Sequence, residues 1–171
     1  NIKFKFNYDN FFHCWSSVTH ILYDYKQLLD LKFKEKNKLC SGVVSKLIQK
    51  NPKQARFAYE NRVNFIRKLC QTNNNNIDIY GYNWTKKELG DMYKGTLGGF
   101  NLGTAEVIDT FLENTTKMDG LYPYKYTLAL ENCVKKNYFS EKFTDAILAW
   151  TIPIYYGCPN IGDYFDLNGI I

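Results

Sequence analysis

The sequence predicts an α/β protein with a Rossmann-like parallel sheet flanked by helices. Two strand–helix–strand units support this class, one over residues 39–80 and one over residues 124–156. The crossover in each unit contains a helix, so it is long enough to join two parallel strands. Alternation of strands and helices along a chain is typical of a parallel sheet with helices packed against it.

The composition indicates a folded domain and limits the classes of binding partner that are expected. The chain has 171 residues, 17% of them aromatic, so it can bury roughly two-thirds of its surface and is not disordered. The net charge of +5 fits either an anionic small molecule or an ordinary solvated surface. Nucleic acid is disfavoured because Lys and Arg are scattered along the chain. No run approaches the length of about 18 apolar residues that a membrane span needs.

The chain ends and the cysteines also carry information. The sequence begins at Asn1 without an initiator Met or a signal peptide and stops at Ile171, which predicts a segment of a longer protein. The five cysteines lack CxxC spacing, which argues against a zinc site. Buried free thiols are favoured, a disulfide stays open, and the odd count leaves one thiol over: Cys14, Cys40, Cys70, Cys133 and Cys158.

The first half of the chain contains the first strand–helix–strand unit. Residues 1–35 have weak periodicity, and their His13-Cys14-Trp15 and His20 favour a packed loop over a site. Residues 39–45 predict a buried strand, and Asn51-Pro52 breaks the chain before a helix over 55–71. A polar turn at 73–76 leads to a strand over 77–80. Apolar positions in the helix keep three- and four-residue spacing: Tyr59, Val63, Ile66 and Cys70.

The middle of the chain is predicted to be mostly loop. Residues 82–104 form a long loop, and its Lys94–Gly99 stretch is rich in glycine but lacks GxGxxG spacing. That stretch is either flexible backbone near a ligand or a plain loop, and the plain loop is favoured. Residues 105–113 predict a short helix with apolar residues on one side: Val107, Ile108, Phe111 and Leu112. The total is at least four strands alternating with three helices.

Polar residues follow two of the predicted strands at the point where each strand ends. The strand over 124–130 ends in Glu131-Asn132, and the strand over 152–156 ends in Tyr156-Gly157. The ligand crevice of an open α/β sheet lies outside such carboxyl ends. Glycine at position 157 also lets the backbone approach a ligand closely.

A capped helix begins between these two strands. Ser140 is a good N-cap, and Lys142 adds a positive charge beside first-turn N–H groups that can receive a phosphate. Three apolar residues are expected to face the sheet, which directs Glu141 and Lys142 toward the strand ends: Phe143, Ile147 and Leu148. An ordinary capped helix with solvated charges is the alternative.

Arg62 adds a second cation from the earlier helix. It lies beside Phe65, Ile66 and Leu69, so its guanidinium either snorkels from an apolar stripe or reaches a diphosphate through bidentate hydrogen bonds. Taken with the strand-end residues and the capped helix, it favours a nucleotide-like anionic ligand.

These segments carry a family resemblance. The string Tyr124-Lys-Tyr-Thr-Leu-Ala-Leu-Glu-Asn132, then Tyr138-Phe-Ser-Glu-Lys-Phe143, then Thr151-Ile-Pro-Ile-Tyr-Tyr-Gly-Cys-Pro-Asn160 resembles the α-1,3-fucosyltransferase signature of glycosyltransferase family 10. Leu39–Ser45 and Arg62-x-x-Phe65-x-x-x-Leu69 resemble a strand and a helix of the same family. The resemblance covers about residues 39–170, whereas residues 1–38 match poorly.

The resemblance implies one half of a two-domain GT-B glycosyltransferase. Residues 39–171 would form the Rossmann-like domain that binds GDP-fucose, and residues 1–38 would be a remnant of, or linker from, an N-terminal acceptor domain. The implied reaction is inverting transfer of fucose to an N-acetylglucosamine-type hydroxyl of a glycan. A membrane-anchored protein in the Golgi lumen is implied, or a cytoplasmic one if the source is bacterial or viral.

The resemblance also implies roles for individual residues. Arg62 and Lys142 should hold the diphosphate, and Glu141 should lie near the fucose as an electrostatic catalytic group. The remaining donor-binding residues line the nucleotide and the strand-end wall: Asn132, Tyr138, Tyr156 and Gly157. No cofactor is expected, and no Asp-x-Asp motif is present to hold a metal.

The general base is expected outside this chain, in the acceptor domain. Three carboxylates near the start of the chain do not match it: Asp9, Asp24 and Asp30. Two departures from the family pattern, Leu130-Glu-Asn-Cys133 and Phe139-Ser140, remove none of the expected ligands.

Two other functions and a question of location stay open. One alternative is a non-catalytic or degenerate nucleotide-sugar-binding module, and another is a GT-B transferase that uses a different nucleotide sugar. The sequons Asn83-Trp-Thr85 and Asn114-Thr-Thr116 would permit a secretory location, although such triplets arise often by chance in an Asn-rich chain.

Overall fold

The computed structural model describes residues 25–46, 57–72, 76–98 and 105–171. The interpretations of residues 1–24, of Asn51-Pro52 and of the turn at 73–75 lie outside these ranges. The helices are α1 (Tyr25–Leu29), α2 (Phe57–Gln71), α3 (Lys86–Leu89) and α4 (Glu141–Leu148). The strands are β1 (Lys38–Val43), β2 (Ile77–Tyr80), β3 (Tyr93–Leu97), β4 (Phe111–Leu112), β5 (Tyr124–Leu130) and β6 (Ile152–Tyr156).

The six strands form one sheet in the order β4-β3-β2-β1-β5-β6, and every neighbouring pair is parallel. This confirms the predicted α/β class. The chain moves outward from β1 to β4 and then returns to the other side of β1 with β5. The strand order therefore reverses between β1 and β5, and the crevice outside their carboxyl ends is where open α/β sheets bind ligands.

Both faces of the sheet are covered, as a parallel sheet requires. On one face, Val63 and Ile66 of α2 pack into a core with Ile79 and Leu130 of the sheet. On the other face lie α4 and a 3₁₀ helix (Lys117–Gly120). These helices and the residue that follows each of them contribute buried side chains to two further clusters: Met118, Leu121, Ala149 and Phe143. Val63 and Ile66 are buried and Cys70 is half-buried, which agrees with the predicted apolar stripe of α2, and the side chain of Tyr59 lies outside the described residues.

Residues 86–97 do not form the predicted loop, and residues 99–104 of that prediction lie outside the described ranges. Thr85 caps α3, because its hydroxyl accepts the Glu88 N–H at 3.2 Å, and β3 then pairs with β2. Most of the glycine-rich stretch therefore lies in a strand. Gly95 has a φ of +118°, and a Cβ there would lie 3.0 Å from the Thr110 carbonyl oxygen. Gly95 therefore allows the neighbouring backbone to approach closely within the sheet. The glycine-rich pattern, which favours a loop, does not indicate this role.

The helix predicted over residues 105–113 is also wrong. The buried Asn83 side-chain oxygen accepts the N–H groups of Glu106 at 2.8 Å and Val107 at 2.7 Å, and β4 pairs with β3 as a sixth strand. Val107, Ile108 and Phe111 stay exposed. Their helical spacing therefore did not mark a buried face.

Helix α4 begins where expected but turns a different face to the sheet. Ser140 is its N-cap and Phe143 is fully buried, both as predicted. Ile147 is 44% exposed and Leu148 is half-buried, so the prediction that they face the sheet is wrong for Ile147. Asp145 and Ala146 are buried instead, and Asp145 forms an ion pair with Lys117.

Candidate functional site

Arg62 lies at the reversal point of the sheet. Its Nη1 donates to the Leu130 carbonyl at the end of β5, and its Nη2 donates to the Ser45 carbonyl beyond β1, each at 3.3 Å. Only 6% of the residue is exposed. The two carbonyls hold the planar guanidinium across the crevice between β1 and β5, where the geometry of its fork suits an anion.

An open pocket of about 280 Å³ adjoins this guanidinium. Phe65 and Tyr156 lie at the exposed side of the pocket. The pocket is mostly apolar with one cation in its wall, so it suits a flat ring joined to an anionic group. Its lining residues come from α2 and from the ends of β5 and β6: Asn61, Arg62, Phe65, Leu130, Ile154, Tyr155 and Tyr156.

The end of β5 is tied to the start of α4 through Glu131 and Ser140. The fully buried Glu131 carboxylate accepts the Ser140 N–H and the Ser140 hydroxyl, both at 2.7 Å. The Ser140 oxygen in turn accepts the Lys142 N–H at 3.4 Å, which caps the helix. The first turn of α4 is therefore locked to the carboxyl edge of the sheet.

Lys142 lies at this same edge, as predicted. Its ammonium donates to Ser140 Oγ at 3.1 Å and to Glu141 Oε1 at 3.0 Å, and it lies 3.9 Å from Glu131 Oε2. The side chain is 19% exposed. A largely desolvated ammonium beside a helix N-terminus is well placed to attract a phosphate.

Glu141 stands between two lysines. Its Oε1 lies 3.0 Å from Lys142 Nζ and 3.8 Å from Lys117 Nζ. Burial alone would raise the pKa of Glu141, but the two ammonium groups outweigh it and hold that pKa below its usual value. Glu141 is therefore ionised near neutral pH and suited to stabilise positive charge.

The other predicted site residues lie around the same edge. Asn132 is half-buried, and its Oδ1 has no hydrogen-bond partner among the described residues. Tyr138 is half-buried in the following loop, and Tyr156 is 46% exposed beside the pocket. Gly157 backs onto Glu131, because a Cβ at position 157 would overlap Glu131 Cγ. Gly157 thus packs against the Glu131 side chain.

The site residues approach this edge from both faces of the sheet. Arg62 and Tyr156 come together at the pocket beside α2, whereas Glu141 and Lys142 lie on the α4 side. Strand β5 joins the two groups, since Arg62 binds the carbonyl of its last residue and Lys142 lies near the next side chain, Glu131.

Sequence reasoning missed four contributors. Glu131 and Ser140 lie in the quoted motifs only as a strand end and a helix cap, because their contact joins residues nine positions apart in the chain. Lys117 and Asp145 gave no local signal, since they are 28 residues apart. From the sequence alone, a lysine before β5 and an aspartate in the amphipathic helix α4 are both expected to be solvent-exposed. Only the tertiary structure shows that they form an ion pair.

Three further observations concern the described residues. No group of three His, Cys, Asp or Glu side chains there could hold a metal ion. No helix in those ranges is long and apolar enough to cross a bilayer. Three cysteines in these ranges are free thiols: Cys40, Cys70 and Cys158.

Comparison with known proteins decides the family. The profile of the C-terminal domain of glycosyltransferase family 10 (fucosyltransferase) matches residues 33–166. The chain belongs to this family. The match covers the pocket, the β5–α4 junction and the end of β6, and it confirms the resemblance carried by the motifs.

Individual proteins match this chain over shorter segments than the family profile does. Human GDP-fucose protein O-fucosyltransferase 3 is 40% identical over 63 residues, which is 33% of this chain and 13% of that protein. The Xenopus laevis protein of the same name is 32% identical over 59 residues, covering 34% of this chain and 13% of its own length. The matched segment therefore spans about an eighth of these relatives.

Solved structures match over most of the chain at low identity. A crystal structure of alpha1,3-fucosyltransferase with GDP covers 78% of this chain and 29% of its own, with 21% identity and a TM-score of 0.47. A crystal structure of alpha1,3-fucosyltransferase with GDP-fucose covers 77% of this chain and 28% of its own, with 23% identity and a TM-score of 0.44.

Proposed function

We propose that this chain is the donor-binding half of a fucosyltransferase that uses GDP-fucose. Membership of the fucosyltransferase family supports the reaction class. The observation that carries the proposal is the position of Arg62, held across β1 and β5 at the edge where Lys142 and the capped start of α4 also lie. Residues 39–171 form the donor domain in this proposal, and residues 1–38 lead from the acceptor domain of a GT-B enzyme.

The diphosphate is the centre of the proposed chemistry. As the bond from the anomeric carbon to the β-phosphate breaks, negative charge builds on GDP and positive charge builds on the sugar ring. Arg62, Lys142 and the N–H groups of α4 stabilise the leaving GDP. Ionised Glu141 stabilises the cationic sugar without exchanging a proton, which its lowered pKa favours.

The rest of the site orients the donor. Asn132 and Tyr138 line the nucleotide and the phosphates, and the buried Asn132 Oδ1, which has no partner among the described residues, offers an acceptor for a donor group of the ligand. Tyr156 and Gly157 form the strand-end wall. Because two cationic side chains already stand at the phosphate position, we expect turnover without a metal cofactor, and chelation with EDTA should leave the rate unchanged.

Two acceptors fit this reaction. The motif resemblance favours inverting α-1,3 transfer to an N-acetylglucosamine-type hydroxyl of a glycan. The curated relatives named GDP-fucose protein O-fucosyltransferase 3 favour a hydroxyl of a protein side chain instead. In both cases the general base that deprotonates the acceptor comes from the acceptor domain. Incubating the full-length protein with GDP-fucose and either acceptor, followed by linkage analysis of the product, distinguishes them.

A secretory location, with a membrane anchor and the site in the Golgi lumen, goes with this proposal. Of the two sequons, only Asn114 lies in an exposed turn, with a φ of +57°. Asn83 is 1% exposed, and its side chain is used in hydrogen bonds inside the fold. A cytoplasmic enzyme is the alternative for a bacterial or viral source.

Calorimetric titration with GDP, UDP and ADP tests donor recognition. GDP should bind more tightly than the other two nucleotides, and Lys142→Met should weaken GDP binding by about 1.5–3 kcal/mol, the contribution of a charge-assisted hydrogen bond. Lys125→Met is the matched control, because Lys125 is exposed near the opposite end of β5. Folded protein that binds no GDP contradicts the proposal. Tighter binding of UDP or ADP identifies a transferase for another nucleotide sugar.

Catalysis requires a separate measurement. The full-length protein should release GDP from GDP-fucose faster when the correct acceptor is added. Binding of GDP-fucose without acceptor-dependent release would instead identify a non-catalytic nucleotide-sugar-binding module.

A further inference from the structure

We propose that Glu131 and Ser140 are positioning residues that hold the Lys142 ammonium in place for a diphosphate. This inference rests on the proposed function, since it concerns how the site keeps its lysine oriented. Neither residue needs to touch the ligand. They act through one chain of hydrogen bonds that runs from the end of β5 to the first turn of α4.

The Glu131 carboxylate is the fixed end of this series of hydrogen bonds. The residue is fully buried, and its N–H donates to the Tyr156 carbonyl at 2.8 Å. Its two carboxylate oxygens each receive one hydrogen bond from Ser140, both at 2.7 Å. On the far side, Gly157 leaves no room for a Cβ beside Glu131 Cγ. The carboxylate is therefore held between Gly157 and Ser140.

The direction of the Ser140 hydroxyl follows from that anchor. A serine hydroxyl has one hydrogen to donate and two lone pairs to accept with. The Ser140 hydroxyl donates to Glu131 Oε2, so the Ser140 hydrogen is committed to Glu131. Both lone pairs are left for Lys142, one for its backbone N–H and one for its ammonium.

The Lys142 ammonium is thereby held in place with one of its N–H groups not used by these contacts. Ser140 Oγ and Glu141 Oε1 take two of its three N–H groups, at 3.1 Å and 3.0 Å. The third N–H remains for a phosphate oxygen in this proposal. Without the Ser140 acceptor, the long Lys142 side chain would regain rotamers and point at the phosphate for less of the time.

Substitution of Glu131 by Gln separates positioning from simple electrostatics. Removing a negative charge 3.9 Å from Lys142 should raise the affinity for an anion if charge alone matters. Positioning predicts the opposite sign. The Gln side-chain NH₂ group would donate to Ser140 Oγ and take one of its lone pairs from Lys142. We therefore expect E131Q to lower GDP affinity about threefold to tenfold, the contribution of one hydrogen bond.

The second variant set uses Ser140. S140A should lose GDP affinity by a similar factor, and S140T, which keeps the hydroxyl, should restore it. Guanosine lacks the diphosphate, so its affinity should not change in any of these variants. In a K142M background, S140A should have no further effect on GDP, because both substitutions remove the same interaction.

The experiment is calorimetric titration of wild type, E131Q, S140A, S140T, K142M and S140A/K142M with GDP and with guanosine. Thermal melting shows that each variant is folded. A higher GDP affinity of E131Q, an additive loss in the double variant, or an equal loss for guanosine overturns the positioning role and leaves the proposed function standing. Wild-type protein that binds no GDP overturns both.

Discussion

The Lys117–Asp145 ion pair is the closest charge contact beneath the site among the described residues. The two groups are 2.6 Å apart, and the Asp145 side chain is only 4% exposed. Burial raises the pKa of Asp145, and the attraction of Lys117 opposes that rise. The pair therefore depends on the lysine to keep a buried carboxylate charged. It also brings Lys117 within 3.8 Å of Glu141, which ties structural stability to the electrostatics of the site.

Lys117→Met should lower the free energy of unfolding by about 3–5 kcal/mol at neutral pH, because it leaves an unpaired buried charge. The loss should shrink at low pH, where Asp145 becomes protonated and no longer needs a cation. Urea unfolding at pH 7.5 and pH 4.5 measures both effects. The double variant Lys117→Met/Asp145→Asn is the control and should recover part of the stability. Equal losses at the two pH values would contradict this account.

Asp78 should govern part of the acid sensitivity. Burial would raise its pKa, but the Tyr124 hydroxyl at 2.7 Å and the ammonium groups of Lys38 and Lys94 lower it below the ordinary 3.8. A carboxyl whose folded pKa is depressed stabilises the protein above its unfolded pKa and loses that contribution as pH falls through the folded value.

The expected result is a melting temperature that is steady above about pH 5 and falls below the unfolded pKa of 3.8. Asp78→Asn should be less stable at pH 7 and should show a shallower fall in acid. Thermal unfolding from pH 7 to pH 3 checks this, with Asp166→Asn as an exposed control. An unchanged pH profile in Asp78→Asn would show that the cluster around Tyr124 does not contribute.

The segment before β4 is attached to the rest of the sheet by Asn83. Its Oδ1 accepts the N–H groups of Glu106 and Val107, and its Nδ2 donates to the Lys46 carbonyl at 2.7 Å. One buried amide thus joins the ends of three connecting segments. Because these segments have little regular structure of their own, their order depends on this side chain.

Asn83→Ala should leave buried backbone groups unpaired and destabilise the protein by about 1–3 kcal/mol. Hydrogen exchange should speed up at the amides of Glu106 and Val107, whereas the amide of Ile66 in α2 should change only as much as global stability does. Asn64→Ala, at an exposed position of α2, is the matched control. Uniform acceleration across the protein would argue against a local tether.

Elements with strong local patterns were predicted well, and those defined by pairing were not. The strands over 77–80 and 152–156 and the cap at Ser140 match the structure, because alternating apolar runs and a helix cap are properties of neighbouring residues. Strand β3 contains a glycine, and strand β4 has only two residues. The β conformation of each therefore depends on pairing with its neighbouring strand. Local propensity carries little information about such pairing between strands.

The two halves of the site belong to opposite layers of the molecule. Arg62 reaches the crevice from α2, and Lys142 reaches it from α4 on the other face. A diphosphate bound by both would connect the layers across the end of β5. Ligand binding should therefore stabilise the whole fold and not only one helix.

GDP should raise the melting temperature, because a ligand at 100 times its Kd adds about 2.7 kcal/mol to stability. Arg62→Lys keeps the charge but loses the planar fork, and it should reduce the shift produced by GDP. Thermal melting with GDP and with UDP measures this, and Arg67→Lys on the exposed side of α2 is the control. Equal shifts with GDP and UDP would contradict selective donor binding.

By itself, the sequence determined the α/β class, the β5–α4–β6 unit, the family and the identity of the candidate cations. Those features depend on short-range order, since apolar periodicity, a capping serine and a motif are all read from neighbouring residues. Only the tertiary structure decided that Arg62 lies across β1 and β5 and that Asp145 is buried against Lys117. It also joined Glu131 through Ser140 to Lys142. Such contacts join residues that are distant in the chain, and strand order and layer packing bring them together.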